Sequence, residues 1–278
     1  MPKITLRNGL KFHYIISGEG TPLVMIHGLG GNLAVWHLNI IPRLPHRFRT
    51  LTYDLRGHGY SDVPPAGYAA DDMCHDLEQL LDALEIQRCV LMGHSYGADI
   101  ALYFALLHPQ RTERVVAIEA AVPALVQLRK REDWEGWQYW ANLLEQHGLH
   151  VPDDKRSDVG FFLRATANLP KIWGPMKGRP RDGAAILRML DETTVVSDYE
   201  QVGQLTLENI ERITTPVLPL YGDGSPYVAT HEYLRAHLPN VSSVMLPKTA
   251  HGHFGPLEQP DAVVDAFSEW LGFGERAA

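Results

Sequence analysis

The sequence has few of the features that mark disulfide-rich, metal-binding, nucleic-acid-binding or membrane-spanning proteins. Its 278 residues include two cysteines, Cys74 and Cys89, whose spacing suggests neither a disulfide framework nor a metal site. The net charge is −8, and one short basic run, at 129–131, lies among acidic and aromatic residues. No apolar run approaches the roughly 20 residues that span a bilayer, and the first residues lack a signal-peptide core. We therefore expect a soluble, cytoplasmic protein that binds neither nucleic acid nor membranes.

A nucleotide-binding loop is also missing, although a glycine-rich segment follows an apolar strand. That segment, His27-Gly28-Leu29-Gly30-Gly31, has neither the Lys-Ser/Thr pair of a phosphate loop nor the G-x-G-x-x-G spacing of a dinucleotide site. A flexible backbone of this kind can instead turn an N–H group toward a developing negative charge. Leu29 is our candidate for that donor.

What the chain does contain is a repeated alternation of short apolar runs and amphipathic stretches. Such strand–helix units predict an α/β fold, with a mostly parallel twisted sheet flanked by helices and with chemistry at the carboxyl ends of the strands. An Asn8-Gly9 turn predicts a hairpin at the start. The predicted later strands are 23–26, 48–53, 89–92, 115–118, 216–221 and 241–245, and the clearest helices are 71–84, 98–107, 231–238 and 260–271.

Between residues 123 and 210 the alternation stops, and the sequence predicts successive helices that are rich in aromatic residues. We expect residues 1–122 and 211–278 to form the core, and residues 123–210 to form a helical lid over the carboxyl edge of the sheet. Part of the aromatic side chains should form the core of this lid, and the rest should line an apolar pocket. The candidate substrate-binding residues are Trp134, Trp137, Trp140 and Trp173.

The segment Gly93-His94-Ser95-Tyr96-Gly97 predicts a sharp turn between a buried strand and a helix. The two glycines allow strand and helix to pass closely, and the strained turn lifts the hydroxyl of Ser95 clear of the sheet. The backbone N–H of Tyr96 then lies at the start of a helix, where it can stabilise an oxyanion. Ser95 is therefore the candidate nucleophile.

A serine nucleophile needs a base, and the base needs an acid that fixes its tautomer and stabilises its cation. Ser95, Glu119 and His253 each follow a predicted strand, in that chain order. The order serine, acid, histidine is typical of α/β-hydrolases.

Four motifs in the expected strand contexts resemble those of the α/β-hydrolase superfamily. They are His27-Gly28-Leu29-Gly30, Asp54-x-Arg56-Gly57-x-Gly59-x-Ser61, Gly93-His94-Ser95-Tyr96-Gly97 and Gly252-His253-(x)4-Glu258-x-Pro260. The resemblance runs from the first hairpin to the last helix and leaves out only the lid. It implies the α/β-hydrolase fold. It also implies that His253, which follows glycine and precedes E-x-P, is the catalytic histidine. His251 would then be a loop neighbour, since no third ligand cluster turns the H-x-H pair into a metal site.

Two residues compete for the role of the acid. The superfamily usually has aspartate three residues beyond the glycine after the penultimate strand, and here that position is Ser225. Asp223 lies two residues before it. The segment 118–123 resembles haloalkane dehalogenases and some epoxide hydrolases, in which a glutamate at the position of Glu119 is the acid. The resemblance favours Glu119, with Asp223 as the alternative.

Dehalogenases and epoxide hydrolases of this type attack with aspartate, whereas this chain has Ser95. The resemblance therefore implies a serine hydrolase that cleaves a carboxylic ester or lactone through an acyl-enzyme, without metal or organic cofactor. Similar lactone-cleaving enzymes act on mycotoxins or macrolide antibiotics, so a large, apolar or cyclic ester is the expected small-molecule substrate. The alternatives are a carbon–carbon bond hydrolase of ring-cleavage products and a non-catalytic ligand receptor on the same fold.

Overall fold

A computed structural model describes residues 2–129, 135–171, 183–247 and 252–272. Eight strands in these ranges form one sheet: β1 (Lys3–Thr5), β2 (Lys11–Ser17), β3 (Thr21–Ile26), β4 (Phe48–Tyr53), β5 (Cys89–His94), β6 (Thr112–Ile118), β7 (Val217–Gly222) and β8 (Val244–Leu246). Their spatial order is β1-β2-β4-β3-β5-β6-β7-β8. The β1–β2 and β2–β4 pairs are antiparallel, and every later pair is parallel. The predicted mostly parallel sheet is confirmed.

Helices cover both faces of the sheet in the described ranges. They are α1 (Ala34–Asn39), α2 (Ala70–Ala83), α3 (Tyr96–Leu107), α4 (Pro123–Arg129), α5 (Glu135–Glu145), α6 (Val159–Thr166), α7 (Ala184–Glu192), α8 (Val195–Tyr199), α9 (Leu207–Ile210), α10 (Val228–His237), α11 (Gly255–Glu258) and α12 (Pro260–Trp270). None of these helices combines the length and the apolarity needed to cross a membrane.

The central strands are apolar on both sides because successive side chains enter different cores. In β3, Val24 and Ile26 pack into the larger core beside α2 and α3, whereas Leu23 and Met25 pack into the smaller core. The smaller core also contains Phe267 from α12. This alternation explains why the strands appear in the sequence as continuous apolar runs.

The last strand is shorter than predicted. β8 begins at Val244, and Val241 contributes only an isolated bridge to Val217. The two serines between them lie at the edge of the sheet, where Ser242 is exposed. Extending the ladder there would bury no apolar surface, so the strand ends early.

The helices α4 to α9 lie between β6 and β7, and we call residues 123–210 the inserted segment. Part of it has a core of its own, formed by Ala141, Leu144, Val151 and Phe162. Another part joins the larger core of the sheet through Met189, Leu190 and Val195. The carboxylate of Asp198 accepts the N–H groups of Gly67 and Tyr68 and so ties the segment to the loop before α2.

Candidate active site

Ser95 forms the turn between β5 and α3 with a backbone conformation that L-residues rarely adopt. Its φ is 55° and its ψ is −125°. A Cβ added at Gly93 would lie 2.1 Å from the carbonyl oxygen of Gly97, and one added at Gly97 would lie 2.1 Å from that of Ile26. Only glycine fits at these two positions, because β3, β5 and α3 meet there without room for a side chain. The turn has the strained geometry of a nucleophile elbow.

The glycine-rich loop after β3 passes directly beside Ser95. A Cβ added at Gly28 would lie 3.0 Å from the Cβ of Ser95. Among the hydrogen bonds of the described residues, none is donated by the backbone N–H of Leu29 or of Tyr96. These two groups are therefore available to a negative charge that develops near the serine.

Buried side chains from the loop after β4 fix the shape of this glycine-rich loop. His58 donates from Nδ1 to the carbonyl of Arg56 (2.8 Å), so its Nε2 is free to accept the N–H of Gly30 (3.0 Å). Burial and the neighbouring His27 lower the pKa of His58 to about 3, which keeps the imidazole neutral. Asp54 accepts the N–H of Leu33 at 2.9 Å. The loop is thus held at two positions after Leu29.

Glu119 follows the last residue of β6 and is fully buried. Its Oε1 accepts the backbone N–H of Gly222 at 2.8 Å, and its Oε2 accepts a short hydrogen bond from the hydroxyl of Ser225. The same Oε2 lies 3.4 Å from Nδ1 of His253. Burial raises the pKa of Glu119, and the hydrogen bonds from Ser225 and Gly222 oppose that rise because they favour the ionised carboxylate.

The turn that contains Glu119 is held by residues from other elements. Glu119 has a φ of 54° and Val122 one of 55°. Asp99 in α3 accepts the N–H of Val122 at 2.9 Å, and the hydroxyl of Tyr221 donates to the carbonyl of Ala120 at 2.7 Å. Burial raises the pKa of Asp99 to about 7. This turn therefore depends on tertiary hydrogen bonds.

His253 lies in a 3₁₀ turn, Gly252–Phe254, and is 4% exposed. Its carbonyl oxygen accepts a hydrogen bond from Nε2 of His94, the residue before Ser95, at 3.1 Å. Burial lowers the pKa of the His253 imidazole to about 3, so the ring is neutral at pH 7. A neutral imidazole beside a carboxylate is the arrangement that a general base requires.

Aromatic side chains surround His253 and account for its burial. The ring centroids of Tyr227, Phe254 and Trp140 lie 5.0, 5.3 and 5.6 Å from that of His253. Tyr139, next to Trp140 on α5, packs so closely on the backbone that a Cβ at position 252 would lie 2.5 Å from its ring. One helix of the inserted segment thus contacts the candidate base.

The four predicted pocket tryptophans are placed differently. Trp140 contacts the ring of His253, whereas Trp137 packs inside the inserted segment and stacks on Phe162 with a centroid distance of 6.5 Å. Trp134 and Trp173 lie outside the described residues.

The alternative residues considered from sequence are also located. Asp223 is exposed to solvent, and its backbone N–H donates to the carbonyl of Leu246. His251 lies outside the described residues. Within the described ranges, no group of three or more His, Cys, Asp or Glu side chains is placed to hold a metal ion.

Sequence reasoning missed three contacts of the candidate site. It noted Ser225 only as the residue that replaces the usual aspartate, and it did not predict its bond to Glu119. Tyr139 was one aromatic residue among several in the inserted segment, and Tyr227 was not singled out. The proximity of Tyr227 to Ser225, two residues apart after a strand, was the one available hint.

Comparison with known proteins places this geometry in a family. The sequence model of the alpha/beta hydrolase fold family matches residues 21–256. A 2-hydroxymuconate semialdehyde hydrolase of Pseudomonas sp. (strain CF600) is 38% identical over 116 residues, 41% of each chain. An uncharacterised protein of Mycobacterium bovis is 34% identical over 113 residues, which are 41% of this chain and only 33% of that relative's length.

A solved structure shows the same fold over nearly the whole chain. Est816, described as an N-acyl homoserine lactone degrading enzyme, is 23% identical, with a TM-score of 0.68 over 97% of this chain and 100% of that one. At that identity, the likeness shows the fold alone. The family match covers most of the sequence, and the sheet and the elbow agree with it. The chain belongs to the alpha/beta hydrolase fold family.

Proposed function

We propose that the protein is a serine hydrolase that cleaves a carboxylic ester or lactone through an acyl-enzyme. Ser95 is the nucleophile, His253 the base and Glu119 the acid that orients it. The backbone N–H groups of Leu29 and Tyr96 stabilise the oxyanion. The proposal is carried by one observation: Nδ1 of His253 lies 3.4 Å from a buried carboxylate, in the chain whose elbow presents Ser95.

The hydrogen bonding of His253 determines the path of the protons in this reaction. Because Nδ1–H of His253 faces Glu119, the lone pair on Nε2 is free to take the proton of Ser95 as its oxygen bonds to the acyl carbon. The imidazolium is stabilised by the carboxylate and then returns the proton to the leaving alkoxide. Water, deprotonated by the same Nε2, attacks the acyl-enzyme and releases the acid and the free serine.

The aromatic rings around His253 favour an apolar substrate. The rings of Trp140 and Tyr227 pack against the proposed base, and a small, hydrated ester would leave such surfaces exposed. Est816 is described as a lactone-degrading enzyme on the same fold, which adds support for a cyclic ester. A large apolar ester or macrocyclic lactone is the specific substrate that we propose.

A panel of activated aryl esters and macrocyclic lactones tests this function. The expected product of a lactone is its open hydroxy acid, seen by mass spectrometry as the gain of one water. Ser95→Ala removes the nucleophile and should abolish turnover while the thermal melt of the protein stays close to that of the wild type. Turnover that persists in this variant would contradict the assignment of the nucleophile.

Hydrolysis of a carbon–carbon bond in a ring-cleavage product is the second candidate. The similarity to the 2-hydroxymuconate semialdehyde hydrolase favours it. The two functions differ in their products, because carbon–carbon cleavage of a dienone gives two fragments and consumes no ester. Incubation with a ring-cleavage dienone, followed by its visible absorbance, separates them.

A further inference from the structure

Ser225 has a hydroxyl group whose hydrogen can point in only one direction. The residue lies in the turn after β7, is 8% exposed, and donates its own N–H to the carbonyl of Gly222. Its Oγ accepts the backbone N–H of Tyr227 at 2.9 Å. An N–H group only donates, so an Oγ lone pair is occupied there, and the hydroxyl hydrogen is left for Oε2 of Glu119.

The end of β7 and the turn after it therefore supply one donor to each oxygen of Glu119. The N–H of Gly222 serves Oε1 and the hydroxyl of Ser225 serves Oε2. Both donors match an ionised carboxylate, because fixed donors on both oxygens leave little room for a carboxyl proton. Without Ser225, the oxygen that faces His253 would keep only the long contact to Nδ1.

We propose that Ser225 is the positioning residue of the triad acid: its hydroxyl holds Oε2 of Glu119 toward His253 and stabilises the charge that the imidazolium needs. Ser225 occupies the position at which the resemblance to the superfamily leads one to expect the acid itself. The hydroxyl there replaces the usual carboxylate with a donor to a carboxylate on the neighbouring strand. This inference rests on the proposed function, since it assigns Ser225 to the same site.

The inference predicts a change in the pH profile. The titratable side chains facing Glu119 are His253 from the 3₁₀ turn, Tyr221 from β7, Tyr227 after it, and Tyr139 from α5. The tyrosines stay neutral at pH 7 because burial raises their pKa values. The loss of activity at low pH, which is the acid limb of the pH profile, is therefore set by the titration of the Glu119–His253 pair.

The direction of the change follows from the fact that the Ser225 hydroxyl is a hydrogen-bond donor. A hydrogen bond to the ionised form lowers the pKa of a carboxyl group, so its removal raises that pKa and moves the acid limb to higher pH. We expect Ser225→Ala to shift the limb upward by about 1 to 2 pH units. The rate at pH 7 should fall about 10- to 100-fold, with KM nearly unchanged.

The test measures the rate at which an alkyl fluorophosphonate labels the full-length protein between pH 5 and 10. In this reaction the Ser95 oxygen bonds to phosphorus, fluoride leaves and His253 takes the proton, so no natural substrate is needed. Ser225→Thr keeps a hydroxyl donor and should retain the acid limb of the wild type. Ser225→Val has the shape of the threonine variant without the hydroxyl and should behave as Ser225→Ala does. Ser242→Ala, at an exposed serine, is the matched control and should label as the wild type does.

The outcomes separate the two proposals. If the wild type labels at Ser95 but the limb of the alanine and valine variants stays in place, Ser225 is not a positioning residue and the proposed function stands. If the alanine variant does not fold, the comparison of threonine with valine decides, because the two side chains differ only in the hydroxyl. A wild type that is not labelled at all overturns the proposed function and this inference with it.

Discussion

The turns after β5 and β6 are neighbours in the sheet and share an unusual geometry, yet they are built in different ways. His94 and Ile118 are paired in register, so Ser95 and Glu119 are the next residues of adjacent parallel strands. Both have a φ near 55°, at 55° and 54°. The N–H of Ser95 donates to the carbonyl of Ile118 at 2.9 Å, which joins the two turns directly.

The difference lies in what holds each conformation. The turn at Ser95 depends on Gly93 and Gly97, two residues away on either side, because any side chain there would strike the backbone. The turn at Glu119 contains no glycine, since its sequence is Glu-Ala-Ala-Val. It is held by residues that are remote in sequence: Asp99 accepts a hydrogen bond from the turn, and Gly222 and Ser225 donate to Glu119. Strain at one turn is supported locally, and at the other by the assembled fold.

The largest expected effect concerns the proposed acid. Glu119→Gln removes the charge that stabilises the imidazolium, and we expect kcat to fall by about 10⁴-fold. Asp223→Asn, at the exposed alternative, should change kcat by less than about threefold, within the range of surface substitutions. Steady-state kinetics on an aryl ester, with thermal melts of both variants, makes the comparison. A large loss for Asp223→Asn and none for Glu119→Gln would reverse the assignment.

A single added methyl group should disrupt the turn at Ser95, whose support is local. In Gly97→Ala the new Cβ would lie 2.1 Å from the carbonyl oxygen of Ile26, so α3 has to move away from β3. We expect a loss of about 3 kcal/mol or more in the free energy of unfolding, measured in urea. Gly148→Ala is the control, since its φ is +78° but nothing lies within 4 Å of the added Cβ. Its free energy of unfolding should fall by only about 1 kcal/mol. Equal losses in the two variants would show that the structure accommodates the added methyl group at position 97 with little energy cost.

This contrast explains how far the sequence could be understood without the structure. The mostly parallel sheet follows from the alternation of strands and helices, and the elbow follows from its glycines, because local sterics leave few choices there. The bond between Ser225 and Glu119 joins residues 106 positions apart, and no local pattern encodes it. The same holds for Asp99, whose role depends on α3 lying beneath the turn after β6. Such contacts exist only once the sheet is assembled.

The remote support of the Glu119 turn should fail in a different way. Asp99→Leu removes the acceptor of the Val122 N–H and should lower the free energy of unfolding by about 1 to 3 kcal/mol, with a loss of activity through Glu119. Asp99→Asn keeps an oxygen acceptor and should preserve the turn. An equal loss of activity in both variants would show that the hydrogen bond is not what matters.

The same residue predicts a pH dependence of stability. Burial raises the pKa of Asp99 from its ordinary value of 3.8 to about 7, so between these pH values the folded state keeps a proton that the unfolded state releases. Its contribution to the free energy of unfolding therefore falls as the pH rises from about 4 to about 7, and is level above that. Asp99→Asn should remove this contribution, so the difference in the free energy of unfolding between the wild type and this variant should decrease from pH 5 to pH 8, as urea unfolding of both proteins would show. A difference that is the same at the two pH values would contradict the raised pKa.

The smallest effect is expected at a third residue with positive φ, Glu85, which serves as a contrast to both turns. It follows α2 with a φ of 56°. Its N–H bonds to the carbonyl of Asp82, and the N–H of Ile86 bonds to that of Leu81, which together form a Schellman cap. Glycine is favoured at this position of the cap because it has no Cβ to strain.

Glu85→Gly should therefore raise the free energy of unfolding by about 1 kcal/mol and leave kcat unchanged. Glu85 is not among the residues of the candidate active site, so relieving the backbone strain at this helix end should alter only stability. At Ser95 and Glu119 the same relief would remove the side chain that we assign to the chemistry. A drop in kcat for Glu85→Gly, measured beside its urea curve, would mean that strain in this fold is coupled to activity over a long range.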